Sequence, residues 1–222
     1  HNYPQNIACS CDSLEDCPHQ PGMNFVDELR QARDELAAEG FGHLPILMTE
    51  WNTQSHGKDW KARWVGNETV SNLFAGAAIC HLATACDDLV DALGWWVASD
   101  VFEEAGPHFE PYGTGNQYYG MLTVDGLPKA AYHGFSFLNR MRGPRYRLEG
   151  SREGDPTRSL LVTDEGSLTR CLIWNCQFPY IDPTDWEGCL SLPLPPTNAG
   201  QGSIRVTSAK VRAGQGSAYE YW

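Results

Sequence analysis

Glu50 is the first residue whose type and surroundings suggest chemistry. It follows the apolar run at 46–49, which predicts a buried strand ending near Thr49. Trp51 and Asn52 come next and can stack on a ring and hydrogen-bond a hydroxyl in the same cleft. A carboxylate at a strand end can act as a nucleophile or an acid/base, or it can be an ordinary solvated side chain.

Hydrolysis of a glycosidic bond needs two carboxylates, which retaining enzymes hold about 5 to 5.5 Å apart. Glu103 and Glu104 follow the next apolar run and are the nearest candidates for a partner to Glu50. We therefore expect a carboxylate site at the ends of two neighbouring strands.

A second cluster of reactive side chains lies near the start of the sequence. Cys9, Cys11, Cys17 and His19 fall within eleven residues. Their spacing matches no closed zinc pattern, so zinc, a local disulfide and reduced thiols all stay open. No glycine-rich phosphate loop follows either predicted strand, so the sequence gives a nucleotide cofactor no support.

The elements that must position these residues alternate between helix and strand. Helical spacing predicts helices over 25–39, over 67–90 and around 131–138, with Asn24 and Asn67 as N-caps and Gly40 as a stop. Buried strands are predicted at 46–49 and 92–98. Such alternation implies parallel pairing, and an eight-fold α/β barrel places its chemistry at the strand ends. A whole barrel takes about 250 residues, so at most the last two or three units are expected.

The pattern changes near residue 144. Short alternating segments at 160–162 and 169–174 flank a turn at 164–166, and apolar residues recur at period two over 190–194 and 204–206. The predicted fold class is therefore α/β plus all-β: the C-terminal part of a (β/α)8 barrel over 1–143, then an antiparallel β-sandwich module over 144–222.

Composition narrows the classes of partner. The 222 residues carry 16 basic and 28 acidic side chains, a formal charge of −12, which repels phosphate backbones and anionic membrane surfaces. No run approaches the roughly 18 apolar residues of a membrane span. We expect a soluble protein that binds neither nucleic acid nor membrane, and the sequence leaves its compartment and oligomeric state open. The chain starts at His1 and ends at Trp222 in a strand-like run, so we expect both ends to be cut.

Three segments together resemble glycoside hydrolase family 39, the family of β-xylosidases and α-L-iduronidase. Residues 44–52 (LPILMTEWN) resemble the segment around the nucleophile of the family, and residues 94–104 (GWWVASDVFEE) resemble its final barrel strand. Residues 126–137 are similar to the closing barrel helix. The segments occur in the family's order, and they are closer to the β-xylosidase branch.

The resemblance implies a role for each matching position. Glu50 would be the nucleophile of a double displacement that needs no cofactor, and Trp96 would form the floor of the sugar site. Further sugar contacts would come from Glu103, Glu104, His1 and Tyr3. The acid/base Glu of the family lies on the fourth barrel strand, upstream of this chain.

Two departures from the family bear on the substrate. Ala98 stands where Phe is usual and Trp95 where Tyr is usual, so we expect a pocket wall of different size. The glycone therefore stays open, with a xyloside favoured by the branch. Two other functions remain: a non-catalytic carbohydrate-binding or interaction protein, and another retaining barrel glycosidase of the endo-glucanase or mannanase type. Glu103 and Glu104 favour an exo-acting pocket over the latter.

Overall fold

The structure is a computed structural model that describes residues 23–53, 73–100, 119–146, 158–166, 168–176 and 205–211. Its helices and strands alternate along the chain before a final hairpin. In chain order they are α1 (Met23–Ala38), β1 (Leu47–Trp51), α2 (Leu73–Ala85), β2 (Ala92–Trp95), α3 (Ala130–Leu138), β3 (Arg158–Asp164) and β4 (Thr169–Asn175). The predicted order of helices and strands up to residue 138, and the hairpin after it, are confirmed. No helix in these ranges is long and apolar enough to cross a bilayer.

The first helix forms because one face carries large apolar side chains. Phe25 and Leu29, four residues apart on α1, are buried in the core. The helix stops at Gly40, which adopts φ +85°. The N–H groups of Gly40 and Phe41 then donate to the carbonyls of Ala37 and Leu36, which is the Schellman pattern. The predicted stop at Gly40 is therefore confirmed, whereas the side chain of the proposed cap, Asn24, lies outside the described residues.

The two strands β1 and β2 pair in parallel, as the alternation predicts. Arg33 of α1 fixes their starting ends, since its guanidinium donates to the carbonyls of Leu44 and Leu89 and to Asp91. The Asp91 carboxylate also accepts the N–H of Ile46, 2.8 Å away. The Ile46 N–H and Arg33 lower the pKa of Asp91. These contacts hold the sheet at its amino edge, opposite the end where chemistry is expected.

Both strands differ from the prediction in extent and in burial. β1 continues to Trp51, two residues beyond the expected end, and β2 stops at Trp95. We expected a strand buried on both faces, but Leu47 is 58% exposed. The reason is that, among the described residues, helices cover only one side of the sheet.

The helix α2 lies at the centre of the fold because it is apolar on all sides. One side, with Ala75, Ile79 and Leu82, packs against the sheet and α1. Another side, with Phe74 and Ala78, packs against the hairpin. Small residues let α3 approach α2 closely: an added Cβ on Gly76 would lie 2.7 Å from the carbonyl oxygen of Ala130, and one on Gly134 would lie 2.8 Å from that of Gly76.

The antiparallel hairpin β3–β4 is joined through Gly166 at φ +84°, and its Leu161, Leu172 and Trp174 pack against α2. Arg145 adds a single bridge to Thr163. In the described stretch 205–211 there is no strand, and Val206 is 85% exposed, so our expectation of a strand there is wrong. Residues 190–194 and 204 lie outside the described ranges. The β-sandwich and the boundary at 143 stay predictions.

Candidate active site

Glu50 lies at a bulge in β1. Met48 pairs with Leu93 and Trp51 pairs with Trp95, so β1 has two residues, Thr49 and Glu50, where β2 has only Gly94. Such bulges re-aim side chains and are common beside active sites. Met48 and Trp51, three residues apart, both pack in the core on the helix side of the sheet, so the usual alternation of side chains is interrupted at the bulge that carries half-buried Glu50.

Gly94 makes room for this bulge. A Cβ added to Gly94 would lie 2.7 Å from the carbonyl oxygen of Thr49, far inside normal contact. Only glycine lets the bulged backbone sit this close to β2. The position of Glu50 therefore depends on a residue in the neighbouring strand.

Trp51 lies in the hydrophobic core. It is 0% exposed, and its ring packs 5.9 Å from Phe25 and edge-on at 4.9 Å from Trp95 (centroid distances). Trp95 in turn packs against Phe135. We expected Trp51 to stack on a ring and Trp95 to line the pocket wall. The structure gives both indoles core contacts, because the helix-facing side of the sheet is where β1 and β2 bury their large side chains.

Asn52 is also fully buried, and its side chain is fully hydrogen-bonded. The amide nitrogen donates to the carbonyls of Trp96 and Tyr119, and the amide oxygen accepts the backbone N–H of Thr53 at 2.6 Å. An amide nitrogen has two hydrogens, so both are used within the protein. Asn52 in this arrangement braces the backbone, whereas we expected it to bind a sugar hydroxyl.

Trp96 lies beside the end of β1 and is half-buried. Its N–H donates to the carbonyl of Trp51 at 2.8 Å, while its carbonyl accepts the Asn52 amide. The peptide bond between Trp96 and Val97 is cis. The structure thus brings four of the predicted site residues to the carboxyl ends of two parallel strands: Glu50, Trp51, Asn52 and Trp96.

The stretch 119–122 closes the same edge. It returns beside residues 97–100 and pairs with them, with Met121 donating to Val97 and Leu122 to Ala98. The Tyr119 carbonyl accepts three donors: the Asn52 amide, the Trp95 indole N–H and the Val97 N–H. Sequence reasoning missed this acceptor, since a backbone carbonyl leaves no signature in residue type.

A buried ion pair lies beneath this edge. The Lys129 ammonium is 2.8 Å from the Asp100 carboxylate, and the two side chains are 0% and 1% exposed. The same Asp100 oxygen accepts the N–H of Gly120 at 2.9 Å. Burial lowers the pKa of Lys129, whereas the charge of Asp100 opposes that shift. The sequence contains one signal for this ion pair. A lysine at the start of α3 is unfavourable beside the positive end of the helix dipole, so its position suggests a role other than stabilising the helix.

The remaining predicted site residues lie outside the described residues. These are His1, Tyr3, Glu103 and Glu104, together with the cysteine cluster at Cys9, Cys11, Cys17 and His19. Within the ranges described, no three His, Cys, Asp or Glu side chains group as metal ligands. Cys80, Cys86, Cys171 and Cys176 are free thiols, and burial raises the pKa of Cys80 and Cys86 to about 12.

The chain is similar in sequence to two bacterial β-xylosidases over most of its length. The chain is 25% identical over 194 residues to a β-xylosidase of Caldicellulosiruptor saccharolyticus, covering 84% of this chain and 35% of that protein. It is 25% identical over 158 residues to a β-xylosidase of Geobacillus stearothermophilus, covering 70% and 27%. The chain therefore spans about a third of the length of the curated relatives it matches.

Among solved structures, the GH39 β-xylosidase of Caulobacter crescentus matches with a TM-score of 0.53 at 24% identity, covering 67% of this chain and 29% of that one. This likeness supports a partial family-39 barrel fold. The family model for glycosyl hydrolases family 39 matches residues 1–179, most of the chain. With the strand-end carboxylate, the parallel pair and these matches together, the chain belongs to glycosyl hydrolases family 39.

Proposed function

We propose that this chain supplies the nucleophile-bearing part of a retaining, exo-acting, β-xylosidase-like glycoside hydrolase, with Glu50 as the nucleophile. The observation that carries the proposal is the placement of Glu50: a half-buried residue on a bulge at the carboxyl end of a parallel strand, next to Trp51, whose carbonyl accepts the Trp96 N–H. Chemistry in α/β barrels takes place at that end. Membership of family 39 supports the same assignment.

The reaction has two displacements at one carbon. The Glu50 carboxylate attacks the anomeric carbon as the bond to the leaving oxygen breaks, and that oxygen takes a proton from a second carboxylic acid. By resemblance to the family, this acid is a Glu upstream of the chain. Water then gives a proton back to that residue and attacks the anomeric carbon, so the glycosyl ester to Glu50 breaks and the anomeric configuration is retained.

The sugar itself is proposed to lie over Trp96. Aromatic faces pack against the apolar faces of sugar rings, and Trp96 is half-buried and hydrogen-bonded to Trp51, the residue after Glu50. Hydroxyl contacts are proposed for Glu103, Glu104, His1 and Tyr3, on the family resemblance. The relatives named β-xylosidase support a xyloside as substrate, and nothing in this chemistry requires a cofactor.

Substitution of Glu50 in the complete protein tests the proposal. We expect the protein to release nitrophenol from an aryl β-xyloside and Glu50→Gln to lose about 10³-fold or more in kcat, since the attacking group is gone. Glu39→Gln, which neutralises an exposed carboxylate after α1, is the matched control and should retain full activity.

Chemical rescue identifies the role of the lost group. Sodium azide added to Glu50→Gly should restore cleavage of an activated aryl β-xyloside and yield the α-xylosyl azide. If the wild-type protein cleaves no aryl glycoside yet binds oligosaccharides, the proposal fails and a carbohydrate-binding role takes its place.

A further inference from the structure

We propose that Asn52 is a positioning residue for Glu50: its buried amide joins the end of β1 to the backbone of Trp96 and Tyr119 and so sets where the carboxylate meets the sugar. The inference rests on the proposed function, because it assumes that Glu50 is the nucleophile. It assigns Asn52 an action through Glu50 in place of direct contact with the substrate.

The hydrogen-bonding capacity of Asn52 carries the first step. The side chain is 0% exposed, and both amide hydrogens are directed at backbone carbonyls, those of Trp96 and Tyr119. The amide oxygen accepts from the N–H and the hydroxyl of Thr53. A side chain with its donors already used gains little from a sugar hydroxyl, which would have to displace a buried bond.

The place of Asn52 in the chain carries the second step. It stands two residues after Glu50, at the point where β1 has left its ladder with β2. Next to it, the Trp96 N–H donates to the Trp51 carbonyl. The amide of Asn52 adds a second tie to the same residue, Trp96, and a third to Tyr119.

These hydrogen bonds affect the reaction because Glu50 is proposed to be the nucleophile and Trp96 is proposed to hold the sugar. A bulged strand end makes fewer backbone hydrogen bonds with the neighbouring strand. The hydrogen bonds of the Asn52 side chain therefore help to fix its position. A displacement of about 1 Å between reacting groups can cost about a hundredfold in rate. Loss of the brace should therefore slow the covalent step more than it weakens sugar binding.

Asn52→Asp in the complete protein tests this directly. An ionised aspartate keeps the size and one acceptor for Thr53 but has no hydrogen to donate to Trp96 or Tyr119. Asn52→Ser, which can donate one hydrogen bond, is the second variant in case Asn52→Asp does not fold. Leu172→Ala, in the hairpin core remote from β1, is the matched control for lost stability.

The readout is covalent trapping by an aryl 2-deoxy-2-fluoro-β-xyloside, which separates reversible binding from attack by Glu50. We expect Asn52→Asp to lower the trapping rate constant by about tenfold to a hundredfold, with reversible binding changed by less than about threefold. Asn52→Ser should fall between Asn52→Asp and the wild type. Leu172→Ala should trap at the wild-type rate while folded.

The outcomes separate this inference from the proposed function. If the wild type is labelled at Glu50 and the Asn52 variants trap at its rate, the positioning role is wrong and the nucleophile stands. The inference is equally wrong if reversible binding alone weakens, since that is the behaviour of a direct sugar contact. If the wild type is not labelled at Glu50, both proposals fall.

Discussion

Lys129 and Asp100 form a buried ion pair that ties three segments to one point beneath the site. Asp100 ends the stretch 97–100 that pairs with residues 119–122, its carboxylate accepts the Gly120 N–H, and Lys129 is the N-cap of α3. An added Cβ on Gly120 would lie 2.3 Å from the Asp100 nitrogen, so the backbones are as close as they can be. At the scale of single residues, this pair helps to hold the stretch 119–122 against residues 97–100.

Lys129→Met is expected to lower the free energy of unfolding by about 3–5 kcal/mol, because it leaves the Asp100 charge buried without its cation. The double variant Lys129→Met with Asp100→Asn should be more stable than Lys129→Met alone, since asparagine can still accept the Gly120 N–H and carries no charge. Urea unfolding followed by tryptophan fluorescence measures both. A Lys129→Met protein within about 1 kcal/mol of wild type would contradict this account.

Residue type and position make Glu50 a site candidate, because a carboxylate at a strand end can act as a nucleophile or an acid/base, whereas Trp96 is a candidate only through the family resemblance. The functions expected of Trp51 and Asn52 from residue type differ from their places in the structure. An aromatic side chain can pack in a hydrophobic core as well as against a sugar ring. Only the pairing register of β1 and its core contacts show that Trp51 faces the helices. A bulge shifts that register by one residue, and no local signal in β1 predicts it.

The element that most directly positions the candidate nucleophile is the bulged pair β1–β2, and Gly94 is its one sequence signal. We expect Gly94→Ala to destabilise the protein by about 1–3 kcal/mol, because its methyl group would meet the Thr49 carbonyl. We also expect kcat on an aryl β-xyloside to fall by about tenfold or more, as the strand shifts to relieve the contact and moves Glu50.

A matched control for Gly94 exists elsewhere in the fold. Gly40 at φ +85° has nothing within 4 Å of an added Cβ, so Gly40→Ala costs stability through backbone strain alone, about 1 kcal/mol. It lies at the end of α1 and should leave kcat unchanged. Equal kcat losses in Gly94→Ala and Gly40→Ala would show that lost stability, and not the bulge, explains the effect.

The packing of the hairpin on α2 is predicted to depend on pH through His81. The Trp174 indole N–H lies 3.5 Å from His81 Nδ1, which can accept it only when unprotonated. Burial lowers the pKa of His81 below its ordinary 6.5. The unfolded chain therefore binds the proton more readily, so this contribution to stability is present above pH 6.5 and is lost as pH falls through the folded pKa.

Urea midpoints measured between about pH 7.5 and pH 5 check this sign, since each unit of pKa difference is worth about 1.4 kcal/mol. His81→Gln should flatten the acid side of the profile. Burial and the charge of Arg140 lower the pKa of His133 as well. His133→Gln is therefore the control that removes the contribution of His133 to the pH dependence. A His81→Gln profile with the full wild-type slope would refute the assignment.

At the scale of the whole molecule, the alternation of helices and parallel strands follows from apolar spacing, which is why α1 through α3 were predictable. Of the predicted all-β part, the described residues show the hairpin β3–β4, and the β-sandwich itself stays a prediction. The two strands of the hairpin are neighbours in sequence, joined by a turn that carries Gly166 at positive φ. Pairing between strands distant in sequence leaves no comparable local signal, and the stretch 205–211 with exposed Val206 shows that alternating residues alone do not make a strand.

The isolated 222-residue chain is expected to self-associate, because among the described residues β1 and β2 form a sheet of two strands with one face uncovered. Leu47 is 58% exposed on that face, and an unpaired strand edge is a template for pairing with another chain. Leu47→Lys should reduce association in sedimentation velocity. Leu127→Lys, at a turn residue of similar exposure (47%), should not. A wild-type chain that stays monomeric and melts in one sharp transition would show that the open sheet is no liability, and that the barrel end folds without further strands beside it.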